Sequence, residues 1–167
     1  LPDRLRELGV REEEIEFVLL SHLHLDHAGW CTKPQGDGFV PTFPNALYVI
    51  QRGEYEAALH PNDYARGSYR PEHVQPVARS GQWRLLEGDE EILPGIRAVV
   101  TGGHTPHYQL FLIESGGAKY CFMGDFVPNN PVFQIPLSNP NYIFLADMLT
   151  GNMVLSLALA IGTGAAA

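Results

Sequence analysis

Basic side chains are scarce in this sequence: eleven Lys and Arg stand against nineteen Asp and Glu, for a formal charge of -8 at pH 7. Phosphate recognition needs clustered cations, so a nucleic-acid partner is excluded and a small-molecule substrate is expected instead. Cysteine is scarcer still. Cys31 and Cys121 lie far apart and outside any CxxC spacing, which excludes a disulfide framework and a thiolate zinc knuckle and makes a reducing cytoplasm the expected compartment. The chain opens with Leu-Pro-Asp rather than Met, and no basic stretch leads into an apolar one, so no secretory signal is read in it. Near the far end charge almost vanishes: after Asp125 the one charged side chain is Asp147, and Lys, Arg and His are absent. Residues 128–167 are therefore set apart as a divergent apolar tail. The uncharged stretch Met148 to Ala167 reaches the roughly 20-residue length of a membrane span. Gly151, Asn152, Gly162, Thr163 and Gly164 dilute it and no basic flank orients it, so membrane contact is not expected; a buried apolar helix is the alternative.

What is present is ordinary globular material. A chain of 167 residues, 45% hydrophobic and 18% charged, suffices for one domain with a real core, placed at residues 1–127. Leu5, Leu8 and Val10 among charges predict a short surface helix within Pro2 to Glu14, closed by Gly9. Ile15 to Leu20 is an apolar run of strand length, expected to be buried on both faces of a sheet. From Cys31 to Trp83 the pattern breaks into Pro, Gly, Tyr and Arg-rich loops around one strand, Ala46 to Ile50, and one helix, Arg52 to Leu59. Strands follow at Trp83 to Leu86, Ile96 to Val100, Gln109 to Ile113 and Lys119 to Met123, with Glu114 to Ala118 turning between the last two.

Chemistry concentrates in Ser21-His22-Leu-His24-Leu-Asp26-His27, directly after the buried strand. In extended backbone, residues two apart point the same way, so His22 and His24 can grip one ion while Leu23 and Leu25 face the core. Asp26 and His27 follow where the chain must turn and can face a second ion. Imidazole and carboxylate suit zinc, iron or manganese. Four such groups within six residues are hard to explain as surface polarity. His104, in Thr101-Gly-Gly-His-Thr-Pro106, and Asp125, in Phe122-Met-Gly-Asp125, occupy loops directly after two predicted strands, where Gly102, Gly103 and Gly124 permit unusual backbone angles. His107 is read as an exposed loop residue beside His104, His60 and His73 as surface, and Cys31 as a small buried thiol. Among Trp30, Phe39, Phe43, Tyr48, Tyr55, Tyr64 and Tyr69, some must be core and some could line an apolar substrate pocket.

The HxHxDH pattern with the later Gly-His-Thr-Pro and Gly-Asp resembles the metallo-β-lactamase superfamily. Asp26-His-Ala-Gly-Trp30, Phe43-Pro-Asn-Ala46 and Val49-Ile-Gln-Arg-Gly-Glu54 are similar to its lactonase and methyl parathion hydrolase-like branch. The resemblance implies an α/β fold, the αβ/βα sandwich, with His22, His24 and His104 holding a first metal, Asp26 and His27 a second, and Asp125 bridging them. Two such cations, about 3.5–4 Å apart, lower the pKa of a shared water towards about 7 and so supply hydroxide, while one polarises C=O or P=O. Asp26 or Asp125 would orient that nucleophile or relay a proton. Hydrolysis of an ester, lactone or phosphotriester is the expected reaction. An iron-dependent thiol-oxidising or thioester-hydrolysing relative and a catalytically silent metal-binding chain are the alternatives.

Three departures from the family pattern bear on those alternatives. No histidine follows His107 to close the second site, few residues precede Ile15, and Gly103-His-Thr-Pro-His-Tyr108 stands where relatives tend to read Gly-His-Thr-Pro-Gly-His. They lead to the expectation of a sandwich incomplete at both ends, an internal piece of a larger hydrolase whose exposed edges favour association, for instance as a homodimer.

Overall fold

The structure is a computed structural model that describes residues 1–125 and, in backbone alone, the strands at 143–146 and 157–159. It opens with helix α1 (Pro2–Glu7) and a 3-10 turn at Glu12–Glu14, then β1 (Phe17–Leu19), a one-turn helix α2 (Leu25–Ala28), the hairpin β2 (Thr32–Gln35) and β3 (Gly38–Pro41), β4 (Leu47–Gln51) and α3 (Arg52–Leu59). Next come α4 (Pro71–Arg79), β5 (Trp83–Leu86), β6 (Glu90–Leu93), β7 (Ile96–Val100), β8 (Gln109–Ser115), β9 (Ala118–Gly124), β10 (Ile143–Ala146) and β11 (Leu157–Leu159). The first sheet has the order β11-β1-β4-β5, with β1, β4 and β5 parallel and β11 antiparallel to β1. The second runs β10-β9-β8-β7-β6, antiparallel except where β10 lies parallel to β9.

Side-chain alternation places the core. Val18, Tyr48 and Ile50 point to one side of the first sheet and pack with Ala58 of α3 and Val74 and Val77 of α4. Leu19 and Val49 point to the other and meet Ile96, Ala98, Phe111 and Phe122 of the second sheet. The expectation that the strand before the histidines is buried on both faces therefore holds, and the arrangement is that of an α/β sandwich. Tyr108, Leu110, Cys121 and Met123 form a third cluster on the far side of the second sheet. The β8–β9 turn falls where expected, on Gly116 and Gly117 with φ of 58° and 79°, the left-handed pair that a tight hairpin demands.

Corrections to the expected elements concentrate between Cys31 and Trp83, which is not a loop region around one strand and one helix. It also contains the β2–β3 hairpin and α4. Proline concealed both: Pro34 sits in a two-stranded ribbon, where a missing donor is tolerated, and α4 has Pro71 in its first turn and Pro76 inside it. The carbonyl of Glu72, which the nitrogen of Pro76 cannot reach as a donor, instead accepts a hydrogen bond from Thr32 Oγ1 at 2.9 Å. Strand β6 was also unforeseen, because Ile92 is its one buried side chain. Leu25 is not a core residue: it starts α2 and is 38% exposed. His73 is half-buried rather than on the surface, and burial lowers its pKa. Of the aromatic group, Phe43, Tyr48 and Tyr69 are core, whereas Trp30, Phe39 and Tyr64 are exposed. Most of the tail at 128–167 lies outside the described residues; where it is described, at Ile143–Ala146 and Leu157–Leu159, it is strand rather than helix. Among the described residues no helix is long and apolar enough to cross a membrane.

Candidate metal centre

Both sheets end at one place, and the expected ligands hang from those ends. The chain leaves β1 in an extended loop that carries His22 and His24, then winds into α2, which carries Asp26 and His27. His104 lies in the loop between β7 and β8. That loop is closed by Thr101 and Gly102, whose backbone N–H groups donate to the carbonyl of Tyr108 at 2.9 and 3.2 Å. Asp125 directly follows β9. The two sheets are stitched just below: Gln109 donates from its backbone to Ser21 O at 3.1 Å and from its side chain to Leu20 O at 2.7 Å, and Gln51 Nε2 donates to Gln109 Oε1 at 2.8 Å.

Three imidazoles converge on wholly buried His22, whose ring centroid lies 4.6 Å from that of His24, 4.2 Å from His27 and 4.8 Å from His104. The nitrogen and oxygen atoms form two triads, His22/His24/His104 and His22/His27/Asp125, in each of which the potential ligand atoms lie within 4.8 Å of one another. His24 Nδ1 is 3.1 Å from His104 Nε2. Asp125 stands between the triads, with Oδ1 3.2 Å from His27 Nε2 and Oδ2 3.5 Å from His104 Nε2. Asp26 is in neither triad; its half-exposed carboxylate lies 3.6 Å from His27 Nε2.

The electrostatics suit cations. Burial, reinforced by His27, His24 and His104, drives the pKa of His22 far down, and burial with His104 lowers that of His24. Both rings are therefore neutral, the form that donates to a metal. Asp125 is held below the usual carboxylate range, chiefly by its contact with His27, and so is an anion. Ser21 Oγ lies 3.1 Å from His22 Nδ1, while His22 Nε2 is buried without a hydrogen-bond partner. An orphaned buried nitrogen is costly in a protein interior. It becomes intelligible as a ligand atom aimed at an ion, with Ser21 fixing the ring from behind. Neutral imidazoles with one carboxylate form a donor set that fits zinc-type divalent metals.

Three further residues shape the site, and of these the sequence singled out Gly124 alone, for its backbone freedom. Tyr108 Oη donates to Met123 O at 2.7 Å and steadies the strand end that presents Asp125. Gly124, at φ 50°, passes so close beneath that a Cβ there would lie 2.4 Å from Tyr108 Oη. Glu54 is fully buried on α3 and hydrogen-bonded to the loops on both sides. Tyr108 and Glu54 stand within segments noted in the sequence, but their positioning contacts are made only by the fold. His107, as expected, is exposed, and Cys31 is a buried thiol.

Known proteins resemble the chain in sequence and in fold. The metallo-beta-lactamase superfamily pattern matches residues 1–160. An N-acyl homoserine lactonase from Bacillus sp is 36% identical over 111 residues, which are 66% of this chain and 38% of that protein. Among solved structures, a probable metal-dependent hydrolase from Staphylococcus aureus superposes with a TM-score of 0.69 at 30% identity, covering 76% of this chain and 44% of the other. An N-acyl homoserine lactone hydrolase, solved with the product N-hexanoyl-L-homoserine at its catalytic metal center, superposes at 0.57 with 31% identity, covering 74% and 45%. The chain thus spans less than half the length of these relatives.

Proposed function

The chain belongs to the metallo-β-lactamase superfamily, a hydrolase lineage, and from that premise we propose that it carries the metal centre of an enzyme that opens the ring ester of N-acyl homoserine lactones. The observation that carries this reading is the pair of triads sharing buried His22, with one oxygen of Asp125 turned to each side. His22, His24 and His104 would hold a first divalent ion, zinc in preference to iron or manganese. His27 and Asp26 would hold a second, with Asp125 between the two. Asp26 needs only a side-chain rotation for this, being half-exposed and already beside His27. Two such ions supply Lewis acidity towards a carbonyl oxygen and towards water.

The protein's own groups account for the rest. Ser21 and Asp125 orient the imidazoles, and the Gln51–Gln109 stitch keeps the two sheet ends in register. The exposed carboxylate of Asp26 would take the proton of an attacking water and return it to the ring oxygen that leaves. The lactone assignment rests on the activity of the relatives; an apolar acyl chain would find exposed Leu25 and Trp30 beside the ligand loop.

Metal content per chain, measured with turnover of an N-acyl homoserine lactone and of an aryl phosphotriester, tests the reading. About two ions per chain, lactone opened faster than phosphotriester, and activity abolished by a chelator and by His22→Ala are expected. A catalytically silent metal-binding chain is the competing reading. Bound metal without turnover of either substrate would select that reading.

A further inference from the structure

Glu54 is a wholly buried carboxylate that belongs to neither triad. A carboxylate in such a place is costly unless its oxygens are matched by donors. Here three donors converge. Leu23 N and Tyr69 Oη donate to Oε1 at 3.1 and 3.0 Å, and Thr105 Oγ1 donates to Oε2 at 2.7 Å. The origins of these donors matter. Leu23 N belongs to the peptide between His22 and His24, Thr105 is the residue after His104, and the Tyr69 ring stands edge-on to His24 with centroids 5.1 Å apart. One oxygen thus fastens the loop from the first sheet and the other fastens the loop from the second.

We propose that Glu54 is the positioning residue of the first metal site: its carboxylate clamps the His22–His24 loop to the His104 loop and places a negative charge under a triad made of imidazoles alone. The inference rests on reading the histidines as a metal centre. Glu54 touches no ligand atom and acts through the backbone of Leu23 and the hydroxyl of Thr105. A purely architectural role is the competing explanation, because Glu54 also lies in the first turn of α3, where an acidic side chain favours the helix. That role would affect folding and leave metal binding alone.

The experiment is Co2+ and Zn2+ affinity of the full chain by chelator competition, with the visible spectrum of the Co2+ form and unfolding of the metal-free form. It compares wild type, Glu54→Gln, Thr105→Val and Thr42→Val. Glutamine keeps an acceptor for Leu23 and Tyr69, and the Thr105 hydroxyl can rotate to accept from its amide, so the shape survives while the charge is lost. Glu54→Gln is expected to weaken the first ion about 10–100-fold and to alter the Co2+ absorption bands. Thr105→Val, which cuts only the His104 side, is expected to weaken it less, in the same direction. Thr42 is equally buried and lies outside the clamp; its variant is expected to bind as wild type does.

Wild-type affinity and spectrum in both Glu54→Gln and Thr105→Val would overturn the proposal, as would an equal loss in Thr42→Val. If Glu54→Gln fails to fold, Thr105→Val decides alone. A wild-type chain that binds neither ion overturns the metal centre itself, whereas tight binding indifferent to Glu54 and Thr105 overturns only the role of Glu54.

Discussion

At the scale of single residues, a metal centre is a store of unfavourable burial. His22 is enclosed with three other imidazoles nearby, so a proton on it is heavily penalised in the folded chain and not in the unfolded one. With the folded pKa depressed below the ordinary 6.5, the unfolded state binds more protons once the pH falls below that value. Stability of the metal-free chain should therefore be level above this point and fall beneath it, by about 1.4 kcal/mol over the first pH unit for one such histidine. Denaturant unfolding in chelator at two pH values checks this. His22→Gln should flatten the slope, and a slope unchanged by that substitution would place the proton uptake elsewhere. Asp125, also depressed, acts in the same direction at lower pH. The candidate ligands were legible because their chemistry is dense in sequence: His22, His24, Asp26 and His27 announce one another. Glu54 and Tyr108 were not, because each is defined by a contact across 51 and 15 residues of chain respectively and not by a motif.

Among the elements, those with an even hydrophobic rhythm were readable and those interrupted by proline were not. Strands β4, β5 and β7 and helix α3 fall within a residue of their expected bounds, since each buries side chains at the period of its geometry. Helix α4 was missed because Pro76 should end a helix, and it does not because a neighbour takes over the orphaned carbonyl of Glu72. A coupled prediction follows from that contact. Thr32→Val should cost about 1–3 kcal/mol by leaving a half-buried carbonyl unpaired. In a Pro76→Ala background, which restores the helix's own N–H donor, the same change should cost about 1 kcal/mol less. A double-mutant cycle by urea unfolding gives the coupling, and strictly additive costs would show that Thr32 is not the compensating donor.

For the whole molecule, the fold and the site are one problem, because the candidate ligands come from both sheets: His22, His24 and His27 follow β1, while His104 and Asp125 follow β7 and β9. An ion held there bridges the two layers and should stabilise the native state by mass action. At a free zinc concentration about a hundred times the dissociation constant, the gain is about 2.7 kcal/mol, or roughly 5–10 °C in melting temperature for a chain of this size. His104→Ala, which removes the second sheet's ligand from the first triad, should lose most of that increment; an undiminished zinc shift would mean that the ion is held elsewhere.

The same division of ligands between two layers sets an order in time. His24 and His104 are separated by 80 positions, which a ribosome working at about 5–20 residues per second covers in on the order of ten seconds. If the triads hold metal, His22, His24 and His27 would meet ions first without their partners, and would hold them only weakly. Tight capture would wait until the β7–β8 loop had emerged and docked. The choice of ion would then fall to the assembled pair of sheets, which selects by geometry rather than by first arrival.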